Sequence, residues 1–100
     1  MIKVRIKKTD NLIDEITIKG HANFADIGYD IVCASVSSIV ITSINAALKL
    51  DEYCLEYEDA DGFIKIKMLK HDNVTKTLVN NMIDLLKELK MKYPKNINVN

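Results

Sequence analysis

The sequence contains little that would build linkers, nucleic-acid tracts or membrane spans. Its 100 residues include three glycines and one proline, so we expect a packed core with few linkers, in one domain over residues 1–100. The 14 basic and 14 acidic side chains cancel and are scattered along the chain, which predicts no direct contact with nucleic acid. No apolar run reaches the roughly 18 residues that a membrane span needs, and the charged N-terminus is unlike a signal peptide. We therefore expect a cytoplasmic protein without a membrane partner.

Cysteine is also scarce, since the chain has only Cys33 and Cys54. A reducing compartment and the lack of a secretion signal favour two free thiols over one disulfide. A zinc site that combines both cysteines with His21 and His71 has the right ligand types. No Cys-x-x-Cys or His-x-x-x-His spacing supports it, so we predict no metal.

What the sequence does have is a clear succession of periodic segments. Period-two alternation at 2–7 and again up to about residue 19 predicts a hairpin, and alternation on both sides of the turn at 59–62 predicts a second one. Helical periodicity predicts one helix over 31–50 and another that follows the cap residues at 71–73 and ends before Pro94. Residues 97–99 could add a short terminal strand. The order ββαββα predicts a two-layer α+β fold: a mainly antiparallel sheet of about four to five strands with both helices on one face.

The first predicted helix carries a cysteine near its start. Asp30 is the natural N-cap, because its carboxylate can accept hydrogen bonds from first-turn N–H groups and complements the helix dipole. Cys33 is then the third helical residue, where the dipole favours the nucleophilic thiolate. The polar stripe at residues 35, 38, 42, 45 and 49 lies opposite to it, so the thiol faces inward. Two interpretations stay open: a small core cysteine, or a thiol that lines a crevice under the loop at 20–30.

Two histidines could serve such a thiol as a base, because imidazole has an unperturbed pKa near neutrality. His21 is joined to Cys33 by an eleven-residue loop, although a histidine in that position is also a common surface side chain. His71 lies at a strand-to-helix junction with no cysteine nearby in sequence, and we predict that it is structural. Ser37 lies one turn after Cys33 on the same inward side. Its hydroxyl either bonds back to the carbonyl four residues earlier or helps to shape a substrate pocket.

One stretch of the chain has a more specific pattern. Gly-His-Ala at 20–22, Gly-Tyr-Asp-Ile-Val-Cys-Ala at 28–34 and the serine at 37 together resemble the signature of the ribosomal-processing cysteine protease family, Prp. The ββαββα order extends the resemblance over nearly the whole chain. The resemblance implies His21 and Cys33 as a catalytic dyad, with Asp30, Ser37 and the two glycines of the motif, Gly20 and Gly28, as supporting or substrate-binding residues.

The resemblance also implies a function. Members of that family remove a short N-terminal extension from large-subunit ribosomal protein number twenty-seven, and they form homodimers with a mobile loop between the dyad residues. In the implied mechanism Cys33 attacks the scissile carbonyl and forms a thioester, while N–H groups at the helix start, including its own, stabilise the oxyanion. No metal or organic cofactor is needed.

Two other functions compete with proteolysis. One is a ribosome-associated module that binds the same peptide without cutting it, and the other is a structural dimer in which Cys33 is part of the core. The presence of both His21 and Cys33 favours the enzyme.

Overall fold

In the computed structural model, described over residues 1–20, 27–60 and 62–100, the elements follow the predicted order. They are β1 (Ile2–Thr9), β2 (Leu12–Lys19), α1 (Ile27–Leu50), β3 (Leu55–Ala60), β4 (Phe63–Met68), α2 (Asn73–Lys92) and β5 (Ile97–Val99). The predicted α+β fold, including its terminal strand, is confirmed.

The strands form one sheet in the order β3-β4-β2-β1-β5. All neighbouring strands are antiparallel except β1 and β5, which are parallel. The turn between β1 and β2 consists of Asp10 and Asn11, with φ angles of 52° and 65°. These are residue types that tolerate left-handed backbone conformations, which two-residue hairpin turns require.

The core lies on one face of the sheet, because the strands alternate as the sequence predicts. The inward side chains are aliphatic and almost fully buried, among them Ile2, Val4, Ile16, Ile18 and Ile66. The residues between them are polar or charged and face away from the helices. Both helices cover the aliphatic face and pack against each other.

Helix α1 is the central element of this core. Its buried residues Val32, Val36, Val40 and Ile44 recur at a spacing of four and pack on the sheet. By length and composition, Ile31–Leu50 could also cross a membrane, so the sequence prediction that no segment qualifies is wrong. The buried stripe is that of a core helix, which passes the same test.

Helix α2 begins at a well-formed cap. The carboxylate of Asp72 accepts hydrogen bonds from the Thr75 hydroxyl at 2.8 Å and from its backbone N–H at 3.2 Å. These bonds lower the pKa of Asp72 below its ordinary value. The cap residues predicted at 71–73 are therefore confirmed. Helical periodicity predicts one apolar face on this helix, formed by Leu78, Met82, Leu85, Leu86, Leu89 and Tyr93. All of these pack in or against the core except Leu85, which is 38% exposed.

Strand β3 begins two residues later than the alternation predicts. The alternation of Tyr53, Leu55 and Tyr57 with polar residues predicts a strand from residue 53, but Tyr53 lies in the preceding turn and is exposed. Cys54 also precedes the strand and is fully buried. Its backbone carbonyl accepts hydrogen bonds from the N–H groups of Leu69 and Lys70. These bonds tie the turn to the end of β4, which delays the start of the strand.

Candidate active site

The thiol of Cys33 lies on the inward side of α1. Cys33 is half-buried and packs against the aliphatic core. It shares its direction around the helix axis with Val40 and Ile44, both of which are buried. The predicted inward orientation is therefore confirmed, and the side chain is neither fully enclosed nor fully open.

The start of α1 differs from the prediction. The helix begins at Ile27, so Asp30 is its fourth residue and not its N-cap, and Gly28 is its second residue. Cys33 is the seventh residue, where the backbone N–H is paired within the helix. The dipole acts mainly on the first turn, so it favours the Cys33 thiolate less than the sequence analysis predicted. The sequence missed this start because the glycine at 28 reads as a loop residue.

The two cysteines lie at opposite ends of α1. The Sγ of Cys54 is 3.5 Å from the carbonyl oxygen of Ala47. Ala47 follows Cys33 by 14 residues, which corresponds to about 21 Å along a helix. The two sulfur atoms are therefore much too far apart to form a disulfide or to share a metal ion. The sequence leaves a packing role and a surface role open for Cys54, and its full burial shows that it packs in the core.

His71 belongs to the Cys54 end of the molecule. Its Nε2 atom is 2.9 Å from the backbone carbonyl oxygen of Ile13, at the start of β2. This contact ties the β4–α2 junction to the first hairpin. His71 is also the neighbour of Lys70, whose N–H donates to the carbonyl of Cys54. The position of His71, on the far side of the fold from Cys33, supports the structural role predicted for it.

His21 lies outside the described residues, but its neighbour Gly20 is described. Gly20 ends the β2 ladder, seven residues after Ile13, or about 23 Å along a strand. The N–H of Gly20 donates to the carbonyl of Gly62 at 2.8 Å. Its φ angle is +84°, and a Cβ atom there would lie 2.9 Å from the backbone oxygen of Met1. Both the backbone conformation and the close approach require glycine at this position of the motif.

Ser37 follows Cys33 by one turn and is half-buried. Serines do bond back along α1, with Oγ–O distances of 2.8 Å from Ser35 to Ile31 and 2.7 Å from Ser43 to Ile39. Within the part of the chain that the structure describes, the Ser37 hydroxyl makes no such bond. Of the two roles predicted for Ser37, the shaping of a pocket is therefore the one that stays open.

The flank of α1 that carries Cys33 faces away from α2. A shallow groove between the two helices is lined by Ser35 and Ile39 of α1 and by Leu85 and Leu89 of α2. These α1 residues point more than 90° around the axis from Cys33. Because α2 leads into β5 at one edge of the sheet, the Cys33 flank overlooks the opposite half, formed by β4 and β3.

The inner face of β3 is only partly covered on that side. Tyr57 pairs with Ile66, whose side chain is buried, and therefore points to the same face of the sheet. Tyr57 nevertheless keeps 41% of its surface exposed. On α1, Cys33, Ser37 and Ile41 form a half-buried series, and Tyr57 lies on the face of the sheet that the helices cover. The sequence analysis did not single out Ile41 or Tyr57, although the spacing of four from Cys33 through Ser37 marks Ile41 as part of the same helix flank.

Comparison with known proteins identifies the kind of site. Residues 1–98 match the family model described as "Cysteine protease Prp". The ribosomal processing cysteine protease Prp of Staphylococcus aureus is 30% identical over 104 residues, which cover 100% of this chain and 98% of that protein.

Two solved structures of the S. aureus protein give the same result. The crystal structure of an essential ribosomal processing protease Prp in complex with a substrate peptide has a TM-score of 0.92 and 26% identity, covering 100% of this chain and 98% of the other. The structure with a covalently linked product peptide has a TM-score of 0.88 and 27% identity, with the same coverage. Half-buried Cys33 therefore lies within a cysteine protease fold.

Proposed function

The chain belongs to the Prp family of cysteine proteases, and on this premise we propose that it removes the N-terminal extension of large-subunit ribosomal protein number twenty-seven. The relatives' names support ribosomal processing, and the S. aureus complexes with substrate and product peptides support a peptide substrate. The observation that carries the proposal for this chain is the half-buried thiol of Cys33 within the motif of 20–37.

The proposed chemistry uses Cys33 and His21 as a dyad. His21 accepts the thiol proton, and the Cys33 Sγ forms a bond with the scissile carbonyl carbon. The tetrahedral intermediate collapses, the carbon–nitrogen bond breaks, and protonated His21 gives its proton to the departing amine. Water, deprotonated by the same imidazole, then hydrolyses the thioester and restores the thiol. Since the helix dipole is weak at the seventh residue of α1, thiolate formation depends mainly on the histidine.

The start of α1 also changes the proposed source of oxyanion stabilisation. In a helix that begins at Ile27, the N–H of Cys33 is occupied by an intrahelical bond. We therefore leave the Cys33 N–H out of the proposed oxyanion site. We assign Asp30 and Gly28, both in the first turn, a role in positioning the backbone before Cys33, and Ser37 a role in lining the substrate site.

We propose a substrate cleft between the Cys33 flank of α1 and the inner face of β3, along which the peptide lies. Ser37 and Ile41 continue that flank from the thiol, and Tyr57 offers an exposed aromatic surface across from it. Tyr57→Ala is expected to raise KM several-fold with little change in kcat, because Tyr57 contacts the peptide away from the reacting atoms. Tyr53→Ala, also an exposed tyrosine but outside the cleft, is the matched control. Equal KM values for the two variants would remove Tyr57 from the substrate path.

The decisive experiment uses a peptide that spans the junction between the extension and the mature protein. The wild-type protein should cut it and form a thioester-linked adduct on Cys33 that intact-mass spectrometry detects. Cys33→Ala should lose at least about 1,000-fold in kcat/KM, whereas Cys54→Ala should cut normally. Binding of the uncut peptide by the wild-type protein would instead indicate a non-catalytic module, and no interaction would indicate a structural dimer.

We further propose that the protein acts in the cytoplasm as a homodimer without a metal or an organic cofactor. The homodimer is tested by analytical ultracentrifugation at several concentrations. A protein that remains monomeric at every concentration would contradict it. EDTA is expected to leave the rate of peptide cleavage unchanged, because the proposed mechanism uses no metal.

A further inference from the structure

The face of the sheet opposite the helices carries an uneven distribution of charge. Lys3, Arg5 and Lys7 alternate with the buried residues of β1, so all three project from this face. On β2 the corresponding outward residues are Glu15 and Lys19, with a threonine between them. None of the described helices or strands covers these side chains.

The two halves of this face differ in how the charges are paired. In the β3–β4 half, Glu56 and Glu58 lie directly opposite Lys67 and Lys65 in the register of the ladder, so opposite charges face each other. Glu15 belongs to the same paired half, because its Oε1 is 3.1 Å from the Nζ of Lys65. This half of the face is close to neutral.

In the β1–β2 half, Lys3, Arg5 and Lys19 do not face an acid in the register of the described strands, whereas Lys7 lies opposite Glu15, whose carboxylate also binds Lys65. Lys3 lies directly opposite Lys19, and like charges in facing positions destabilise a sheet. Arg5 faces Thr17, which is neutral. Successive cations on β1 are about 7 Å apart. A bound polyanion would relieve the repulsion between Lys3 and Lys19.

An aromatic ring borders the cationic half. Phe63 lies opposite Lys19 in the ladder and is half-buried, and the Nζ of Lys19 is 5.8 Å from the centre of its ring. A cationic strand beside an aromatic ring on an uncovered sheet face is the combination that binds phosphates and stacks bases in single-stranded nucleic acids. Thr17 and Asn98 lie in the same rows as the cations and can hydrogen-bond a ribose 2′-hydroxyl.

We propose that the β1–β2 half of the open sheet face binds single-stranded RNA through Lys3, Arg5, Lys7 and Lys19, with Phe63 stacking on a base. This replaces the expectation that the chain makes no contact with nucleic acid. That expectation rested on the scatter of charges along the sequence, whereas the register of the sheet collects four cations on one surface. The face lies opposite the Cys33 side, so RNA and peptide do not compete for one surface.

The test measures binding of a fluorescent 20-nucleotide polyuridine to the full chain at several salt concentrations. Four phosphate contacts predict a slope of about −3 in a plot of log K against log salt. Lys3→Glu should weaken binding at least tenfold and reduce the slope. It should also raise the melting temperature, because the Lys3–Lys19 repulsion becomes an attraction, and this separates lost binding from unfolding.

Two further variants serve as comparison. Lys87→Glu makes the same charge change on the exposed surface of α2 and should leave binding nearly unchanged. Phe63→Leu should weaken binding several-fold without a change in the salt slope, because it removes stacking and no charge. Equal losses for Lys3→Glu and Lys87→Glu would overturn the proposal. So would binding to vesicles of phosphatidylserine and phosphatidylcholine in the absence of RNA binding. Peptide cleavage is measured separately, so failure of either proposal leaves the other intact.

Discussion

A cysteine lies near each end of α1, yet the two cysteines differ in their surroundings. At the end near β4, Cys54 is fully buried against Ala47 and His71 is held by the Ile13 carbonyl. At the other end, Cys33 is only half-buried and lies in the fold of a cysteine protease. The presence of a cysteine and a histidine is therefore not enough to identify a catalytic site. What distinguishes the two cysteines is whether the surrounding core leaves the sulfur accessible.

The largest expected difference between the two ends is catalytic. His21→Ala should lower kcat for the junction peptide by about 100-fold to 10,000-fold, because the proton acceptor and donor is lost. His71→Ala should leave kcat within a few-fold and should lower thermal stability, since it removes the contact with Ile13. Steady-state kinetics and thermal melts of both variants make this measurement. A greater catalytic loss in His71→Ala than in His21→Ala would reverse the assignment.

The second largest expected difference is in the reactivity of the two thiols. Iodoacetamide at neutral pH is expected to alkylate Cys33 at least about tenfold faster than Cys54, because Cys54 reacts only when the core opens. Peptide mapping by mass spectrometry gives the rate at each site. In urea the two rates should become similar, which serves as the control. Equal rates in the native protein would show that the core protects both sulfur atoms alike.

A smaller effect, on the free energy of unfolding, is expected from backbone strain at Gly20. Gly20→Ala should lower the free energy of unfolding by more than about 1 kcal/mol, because alanine is disfavoured at positive φ. Its Cβ would also lie 2.9 Å from the Met1 oxygen. Gly62→Ala is the matched variant, since Gly62 has a φ angle of +71°. Urea denaturation should show losses in both, whereas only Gly20→Ala, next to His21, should also lower kcat. Normal catalysis in Gly20→Ala would separate this glycine from the site.

The smallest effect concerns acid stability at the Cys54 end. A hydrogen bond from Lys70 lowers the pKa of Asp51, and bonds from Thr75 lower the pKa of Asp72. Each carboxylate therefore contributes stability that is present above its ordinary pKa of 3.8 and is lost as the pH falls through the lower folded value. Asp51→Asn should make unfolding less dependent on pH in that acidic range. Melting curves between neutral and acidic pH test this, with Asp84→Asn on exposed α2 as the control.

Much of the fold could be predicted because its signals are local. Alternation in β1 and β2, the spacing of buried residues in α1, and the capping side chain of Asp72 all depend on residues within a few positions of each other. The inward direction of Cys33 followed from the same periodicity. The start of α1 could not be predicted in this way, because Gly28 has a weak helix propensity that the remainder of the helix outweighs.

The sequence by itself determined the order of the elements, the side of α1 on which Cys33 lies and the motif that places the chain among the Prp proteases. Only the tertiary structure decided that Cys54 and His71 are remote from Cys33, that Tyr57 lies on the helix-covered face of the sheet, and that Lys3 faces Lys19. The physical reason is that periodicity acts over a few residues, whereas strand order and register join residues far apart in the chain. Distances between such residues are therefore properties of the assembled sheet and of the helices packed on it.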